Sequence, residues 1–224
     1  MVVACQTATA APNGYTQIPI AKVFGNGVAD FALSASWLDG SSTVYTSQYG
    51  LGNWFEVGFD YQAAPASQQE FQGNAKALLV HQPGRLPDIA CGIQALAAHE
   101  RGEPYLVATT QPAALGISLG FIHPGDTQRG VLMGGVAYNA SPKIQVVADI
   151  IGGRANYATL GVITALSQTI SMNLAYAQPN HAGGSRGVLF NIAYTFHVLR
   201  SRRSSGGTPG TTPSKNPANG APGS

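Results

Sequence analysis

Charge is what this sequence has least of. Asp, Glu, Lys and Arg together make up 10% of its 224 residues, against roughly a quarter in ordinary soluble domains. Long apolar runs are missing as well. No stretch reaches the roughly 18 unbroken apolar residues that a membrane-crossing helix requires, which excludes helical spans. Cysteine is nearly absent: Cys5 and Cys91 lie far apart, without the His or Asp spacing of a metal site. Nor is there a basic stripe. The net charge is +2, with basic residues scattered except at Arg200, Arg202 and Arg203. That cluster reads as a solvated stop after a strand, not as a nucleic-acid surface. Finally, no long segment keeps the 3.6-residue period of an amphipathic helix.

What the chain does have is glycine (28 residues), small polar residues and a period of two. Ala29, Phe31, Leu33, Ala35 and Trp37 share one face, with Asp30, Ala32, Ser34 and Ser36 on the other. After the turn "LDGSS" comes "TVYTSQY", then "GLGN", a good tight-turn sequence. Beyond it Phe55, Val57, Phe59 and Tyr61 oppose Glu56, Gly58 and Asp60. Phe71, Ala75, Ala77 and Leu79 oppose Gln72, Asn74 and Lys76, and Ile89, Cys91, Ile93 and Ala95 oppose Asp88, Gly92 and Gln94. Further strands are expected over 105–111, 115–121, 130–139, 143–151, 156–165, 169–177 and 187–197.

About twelve short strands with close turns, and aromatics at strand ends such as Trp37, Trp54, Tyr138 and Phe196, predict an all-β chain. The expected fold is a closed, antiparallel, up-and-down transmembrane β-barrel, because closure satisfies every backbone polar group in lipid. Alternation alone also fits an apolar-in, soluble lipocalin-like binding barrel. Two considerations oppose that alternative. A soluble barrel would carry most of its charge outside, and here the polar face is mostly Gly, Ser, Thr, Ala and Asn. Twelve strands, moreover, enclose a bore too wide for side chains alone, about eight strands being the limit. A water-filled or plugged lumen lined by small polar residues is expected, in a barrel spanning residues 28–198. Residues 1–27 precede it, and 199–224 form a Pro/Gly/Ser/Thr-rich tail that cannot bury enough surface to fold.

The last strand, with Gly187, Phe190, Ile192, Tyr194 and Phe196, resembles the C-terminal signature of bacterial outer-membrane barrels. There, alternating bulky residues end in an aromatic recognised by the barrel-assembly machinery. The resemblance implies outer-membrane lipid and that machinery as partners, although this chain continues past the aromatic. At the other end, "GYTQIPIAKVFGNGVADFALSASW" and "YGLGNWFEVGF" resemble the opening of exopolysaccharide-associated (YjbH-like) outer-membrane proteins. Ile18, Pro19, Ile20, Ala21 and Gly27 carry the likeness, with Ile20 in place of a usual Thr. It implies a polysaccharide-export-associated barrel. The extreme N-terminus, "MVVACQTATAAP", holds a lipobox-like Val2-Val3-Ala4-Cys5 but no basic or apolar leader region. It reads either as the end of a secretion signal or as a plain N-terminal segment.

Chemistry-bearing motifs are weak. Gly116-Ile117-Ser118-Leu119-Gly120 matches a nucleophile elbow in letters, but that elbow needs a sharp strand-to-helix turn and Ser118 sits mid-strand. "HERGE" at 99–103 is not a zinc motif, and the histidines at 81, 99, 123, 181 and 197 fall at strand ends or in loops. A Ser–His phospholipase pairing selects none of His81, His123 and His197. No catalytic residue, metal or cofactor is expected. The candidate functional residues are instead those predicted to face the lumen: Asp30, Glu56, Asp60, Lys76, Asp88, Gln94, Asp149, Asn173 and Asn191. Ionisable groups at membrane depth must face water or one another. Acids outnumber bases in this set, so it fits either a cation-tolerant lumen or a network of paired charges that plugs the barrel. The function expected is a passive pore or an envelope-structural barrel of the bacterial outer membrane.

Overall fold

A computed structural model describes residues 14–38, 40–63, 69–82, 86–97, 102–124, 129–154 and 156–198. Cys5, His99 and the 199–224 tail lie outside these residues.

The strands are β1 (Val28–Leu38), β2 (Gly40–Leu51), β3 (Phe55–Gln62), β4 (Glu70–Val80), β5 (Asp88–Leu96) and β6 (Glu103–Thr110). They continue as β7 (Leu115–Ile122), β8 (Val131–Ser141), β9 (Ile144–Ile151), β10 (Tyr157–Ala165), β11 (Ile170–Pro179) and β12 (Gly187–His197). Each pairs antiparallel with its sequence neighbours, and β1 closes on β12, giving a twelve-stranded up-and-down barrel. At the closure Val28 stands opposite His197 and Trp37 opposite Val188. The start of β1 and the end of β12 therefore lie at one rim, the chain-end rim. Closure leaves no unpaired strand edge, the condition a sheet must meet in lipid.

The outer face is apolar. Phe31, Leu33, Tyr45, Phe59, Phe71, Leu119, Leu132, Leu160, Leu174 and Tyr194 all project outward with a third or more of their surface uncovered. Aromatic pairs mark the two rims. Phe31 stacks on Phe196, which stacks on Tyr194, at the rim of the chain ends. Tyr45, Tyr61 and Phe71 run side by side across β2–β4 toward the opposite rim. An apolar wall bounded by aromatic girdles belongs to a transmembrane barrel, and the apolar-in soluble arrangement is the reverse of what is found. Cys91 follows the outward row on β5 and is half-buried.

Local features break the regularity, among them a register shift between β8 and β9 at Asn139–Ser141. Gly52 takes a positive φ of 67° in the β2–β3 turn, which the sequence "GLGN" anticipates. Between β4 and β5 the register shifts, and Ala95 is held at φ 53°. The Asn74 side chain accepts the Ala95 amide at 3.0 Å there, which satisfies that backbone donor at the bulge.

Candidate functional site

Among the described residues, polar and titratable side chains converge in the lumen, and its sides differ. On β1–β5 the inward residues are polar, among them Ser34, Ser36, Thr46, Gln48, Glu56, Asp60, Gln62, Gln72, Asn74, Lys76 and Gln94, all buried. On β5–β9 an apolar cluster of Ala90, Tyr105, Val107, Ile122, Met133, Ala137 and Val147 is interspersed with buried Gln94, Thr109, Ser118 and Asp149. Apolar inward residues thus gather on these strands, although polar ones recur all round the wall. Alternation conceals this, because β6–β9 carry apolar residues on both faces.

The apolar cluster is covered by the chain's own N-terminal segment. Residues 14–24 run inside the barrel, and Ile18 and Ala21 are fully buried against that cluster together with Tyr15. This strap is held at three heights. Near the chain-end rim the Phe24 amide donates to Glu56 Oε2 at 2.9 Å, the Gly27 amide donates to the Gly50 carbonyl at 3.1 Å, and Lys22 Nζ donates to Gln111 Oε1. Two residues deeper on the wall than Gln111, the Ala21 amide donates to Thr109 Oγ1 at 2.8 Å. Toward the far rim Asp149 accepts the amides of Thr16 and Gln17 at 2.7 and 2.9 Å, and Gln17 Nε2 at 3.2 Å. Thr159 Oγ1 donates to the same carboxylate. There the strap turns back on itself, the Tyr15 amide meeting the Ile18 carbonyl.

Missing side chains on the wall make room for it. A Cβ at Gly135 would stand 2.7 Å from the Tyr15 ring and 2.9 Å from Ile18 Cδ1, and one at Gly116 would stand 2.8 Å from Tyr15 Oη. Ser118, between Gly116 and Gly120, bonds Thr109 Oγ1 at 2.8 Å and donates to Tyr15 Oη at 3.4 Å. The apparent nucleophile motif is therefore part of the strap's seat, on an unbroken strand. Sequence reasoning passed over Tyr15, Gln17, Thr109 and Thr159, and gave Ile18 and Ser118 other readings. The available signal was the recurrence of inward glycines on neighbouring strands, Gly116 on β7 and Gly135 on β8, which marks a groove.

All nine predicted residues lie on inward rows, but they do different things. Glu56 and Lys76 stand opposite each other on β3 and β4 as an ion pair of 3.3 Å, each side chain 2% exposed. Asp60, two inward positions along β3 from Glu56, has an Oδ1 without a hydrogen-bond partner of ordinary geometry. Asp30 accepts Thr195 Oγ1, and Asn191 donates to Ser34 Oγ at 2.8 Å. Asn173 donates to Thr16 Oγ1 at 3.4 Å and so touches the strap, as Asp149 does. Gln94 donates to Glu103 at 3.1 Å. Asp88 sits at the rim, where its Oδ1 meets His81 Nδ1 at 3.0 Å and the Gln82 amide at 2.9 Å. Between the strap and β1, β11 and β12 remains a cavity of about 20 Å³ lined by Thr16, Ser34, Asn173 and Asn191 among others. It has room for water and none for a sugar.

The sign of the wall is one-sided. The strands hold Asp30, Glu56, Asp60, Glu70, Asp88, Glu103 and Asp149, and Lys76 is the single Lys or Arg among them. Among the described residues no group of three or more His, Cys, Asp and Glu is arranged to hold a metal ion.

No family model and no curated protein matches the chain. Solved structures do. A KdgM porin superposes with a TM-score of 0.60 at 14% identity, covering 75% of this chain and 99% of that one. A NanC porin gives 0.55 at 10% identity, covering 75% and 100%. The outer membrane protein Omp33 of Acinetobacter baumannii gives 0.54 at 8%, covering 75% and 97%. The chain has the fold of these outer-membrane barrels. At such identities the likeness is one of fold, and the exopolysaccharide-associated resemblance of Ile18–Ala21 finds no support in it.

Proposed function

We propose that this chain is a passive pore of the bacterial outer membrane, with a lumen that its own N-terminal strap narrows. The observation that carries the reading is the two-faced wall: an apolar, aromatic-rimmed exterior around an interior lined by buried carboxylates and amides. Burying so many polar side chains is costly unless water or partners satisfy them. Water entering along the polar rows of β1–β4 would satisfy them. The strap lies against the apolar cluster of β5–β9, which makes those polar rows the proposed route. The fold shared with the porins supports the reading. Insertion through the barrel-assembly machinery, with the last strand (Gly187, Phe190, Ile192, Tyr194 and Phe196) as its recognition element, belongs to the same proposal.

The test is reconstitution. Full-length protein, refolded in detergent and added to a planar lipid bilayer, should give discrete conductance steps, and the protein in cells should fractionate with the outer membrane. A refolded barrel that leaves the bilayer silent overturns the pore reading in favour of an envelope-structural role.

A further inference from the structure

The polar side of the lumen is acidic beyond what its internal pairing uses. Thr46, Asp60 and Gln72 lie abreast on β2, β3 and β4, in directly paired positions. Each is more than nine-tenths buried, and Thr46 Oγ1, Asp60 Oδ1 and Gln72 Oε1 have no hydrogen-bond partner of ordinary geometry. On the neighbouring row Gln48 Oε1 is in the same condition. Four oxygens on the inward rows are thus buried without a hydrogen bond of ordinary geometry, with the Thr46 hydroxyl and the Asn74 amide beside Asp60, and one belongs to a carboxylate. The wall's single ammonium does not serve them, because Lys76 is turned onto Glu56.

Such a row is suited to one class of solute. A carboxylate behind low-dielectric walls focuses a negative potential into the passage, and acidic or carbonyl oxygens stand in for part of a cation's hydration shell. Anions meet no compensating base on the strands of this wall: Asp30 lies on the adjoining β1, Lys76 is already neutralised, and Lys22 of the strap is turned to Gln111 beyond the end of β6. We infer that the passage conducts small inorganic cations in preference to anions, with Asp60 and its unpartnered oxygen neighbours as the station that sets the preference. The inference rests on the pore reading. It also separates this chain from one of its structural neighbours, a KdgM porin solved in complex with disordered oligogalacturonate. A polyanion of that kind is the solute this wall would repel.

The experiment is the zero-current potential of the refolded, full-length barrel in a bilayer with unequal KCl on its two sides. The expected sign is that of potassium permeating faster than chloride. Asp60→Asn, which keeps shape and removes charge, should lower the potassium-to-chloride permeability ratio about fivefold, the equivalent of roughly 1 kcal/mol. Lys76→Gln should raise the ratio by freeing Glu56. Folding of both variants is checked by the gel-mobility shift of unheated barrel. Wild-type channels that show no preference, or prefer chloride, overturn this inference while leaving the pore reading intact. So does an Asp60→Asn ratio equal to the wild-type one. A correctly folded wild-type barrel that conducts nothing overturns both.

Discussion

The backbone amide of Thr16 donates to Asp149 Oδ2 over 2.7 Å, although 133 positions separate the two residues. Asp149 is a structural acid. Its carboxylate collects Thr16, Gln17 and Thr159 and so pins the turn of the strap to β9 and β10. Bonds to an ionised acceptor are the stronger kind, and a buried donor left without one costs about 1–3 kcal/mol.

Asp149→Ala should therefore release the far end of the strap. The barrel itself, held by its closed ladder, should still refold, with a loss of about 3 kcal/mol in a lipid–urea titration, given two or more orphaned amides. Single channels of the variant should show larger or more frequently changing steps than the wild type. Unchanged conductance with the stability loss alone would mean that the strap does not limit the passage.

The seat can be tested from the wall side. A side chain at Gly135 must displace Tyr15 or Ile18, since a Cβ there comes within 2.7–3.0 Å of Tyr15, Ile18 and Asp149. Gly135→Val should push the strap out of its groove. In a Cys5→Ser, Cys91→Ser background, Ile18→Cys reports the displacement: Ile18 is 0% exposed, so its thiol should resist a hydrophilic maleimide. Adding Gly135→Val should make the same thiol react readily. Equal protection in both proteins would show that β8 relaxes instead.

The barrel was legible because its outer and inner rows differ in chemistry where the strands are unambiguous. On β1, Phe31 and Leu33 alternate with Asp30 and Ser34, and on β3, Phe59 and Tyr61 alternate with Glu56 and Asp60. Facing was harder to read on β6, where Leu106 is outside and Tyr105 and Val107 are inside, all apolar. The reason is physical. Val107 meets Ile18 and its neighbours on the strap, not water, so both faces of that strand need apolar residues. The strap itself has no period, because a segment lying in a groove is held by contacts on several sides. The partnership of Gln17 with Asp149 and Tyr157 is a product of closure, and nothing local announces it. The nine inward residues were readable from alternation alone. Which of them tie the strap, pair with each other or face the passage was not, since that depends on register between strands distant in sequence.

Ser118 offers a sharp check of the strand reading. Its hydroxyl is fully buried and meets Thr109 and Tyr15. Ser118→Ala should cost about 1 kcal/mol through the lost hydrogen bonds and leave ester hydrolysis by the refolded protein unchanged from its background. Loss of a measurable esterase activity in the variant would restore the nucleophile reading of Gly116–Gly120.

The facing of the last strand decides everything above. Ile192 stands opposite Leu33 on β1 and Met172 on β11, in the outward row. Ala193, its neighbour, stands between Ala32 and Ser171 in the inward row, beside the row of Thr195 and Asp30. A guanidinium at position 192 enters lipid near the middle of the strand, where Arg costs about 2–4 kcal/mol on a barrel's lipid face. At position 193 the same group enters the polar side of the lumen, within reach of water and of the acidic wall. Ile192→Arg should accordingly lower refolding stability in lipid by that amount, and Ala193→Arg by far less. The two measurements share one strand, one host and one titration, so errors in the scale largely cancel. Ala193→Arg should in addition weaken the preference for cations, because it places a base where the wall has none. Should Ala193→Arg prove the more damaging substitution in the titration, the apolar row faces inward and the membrane assignment of the whole barrel fails.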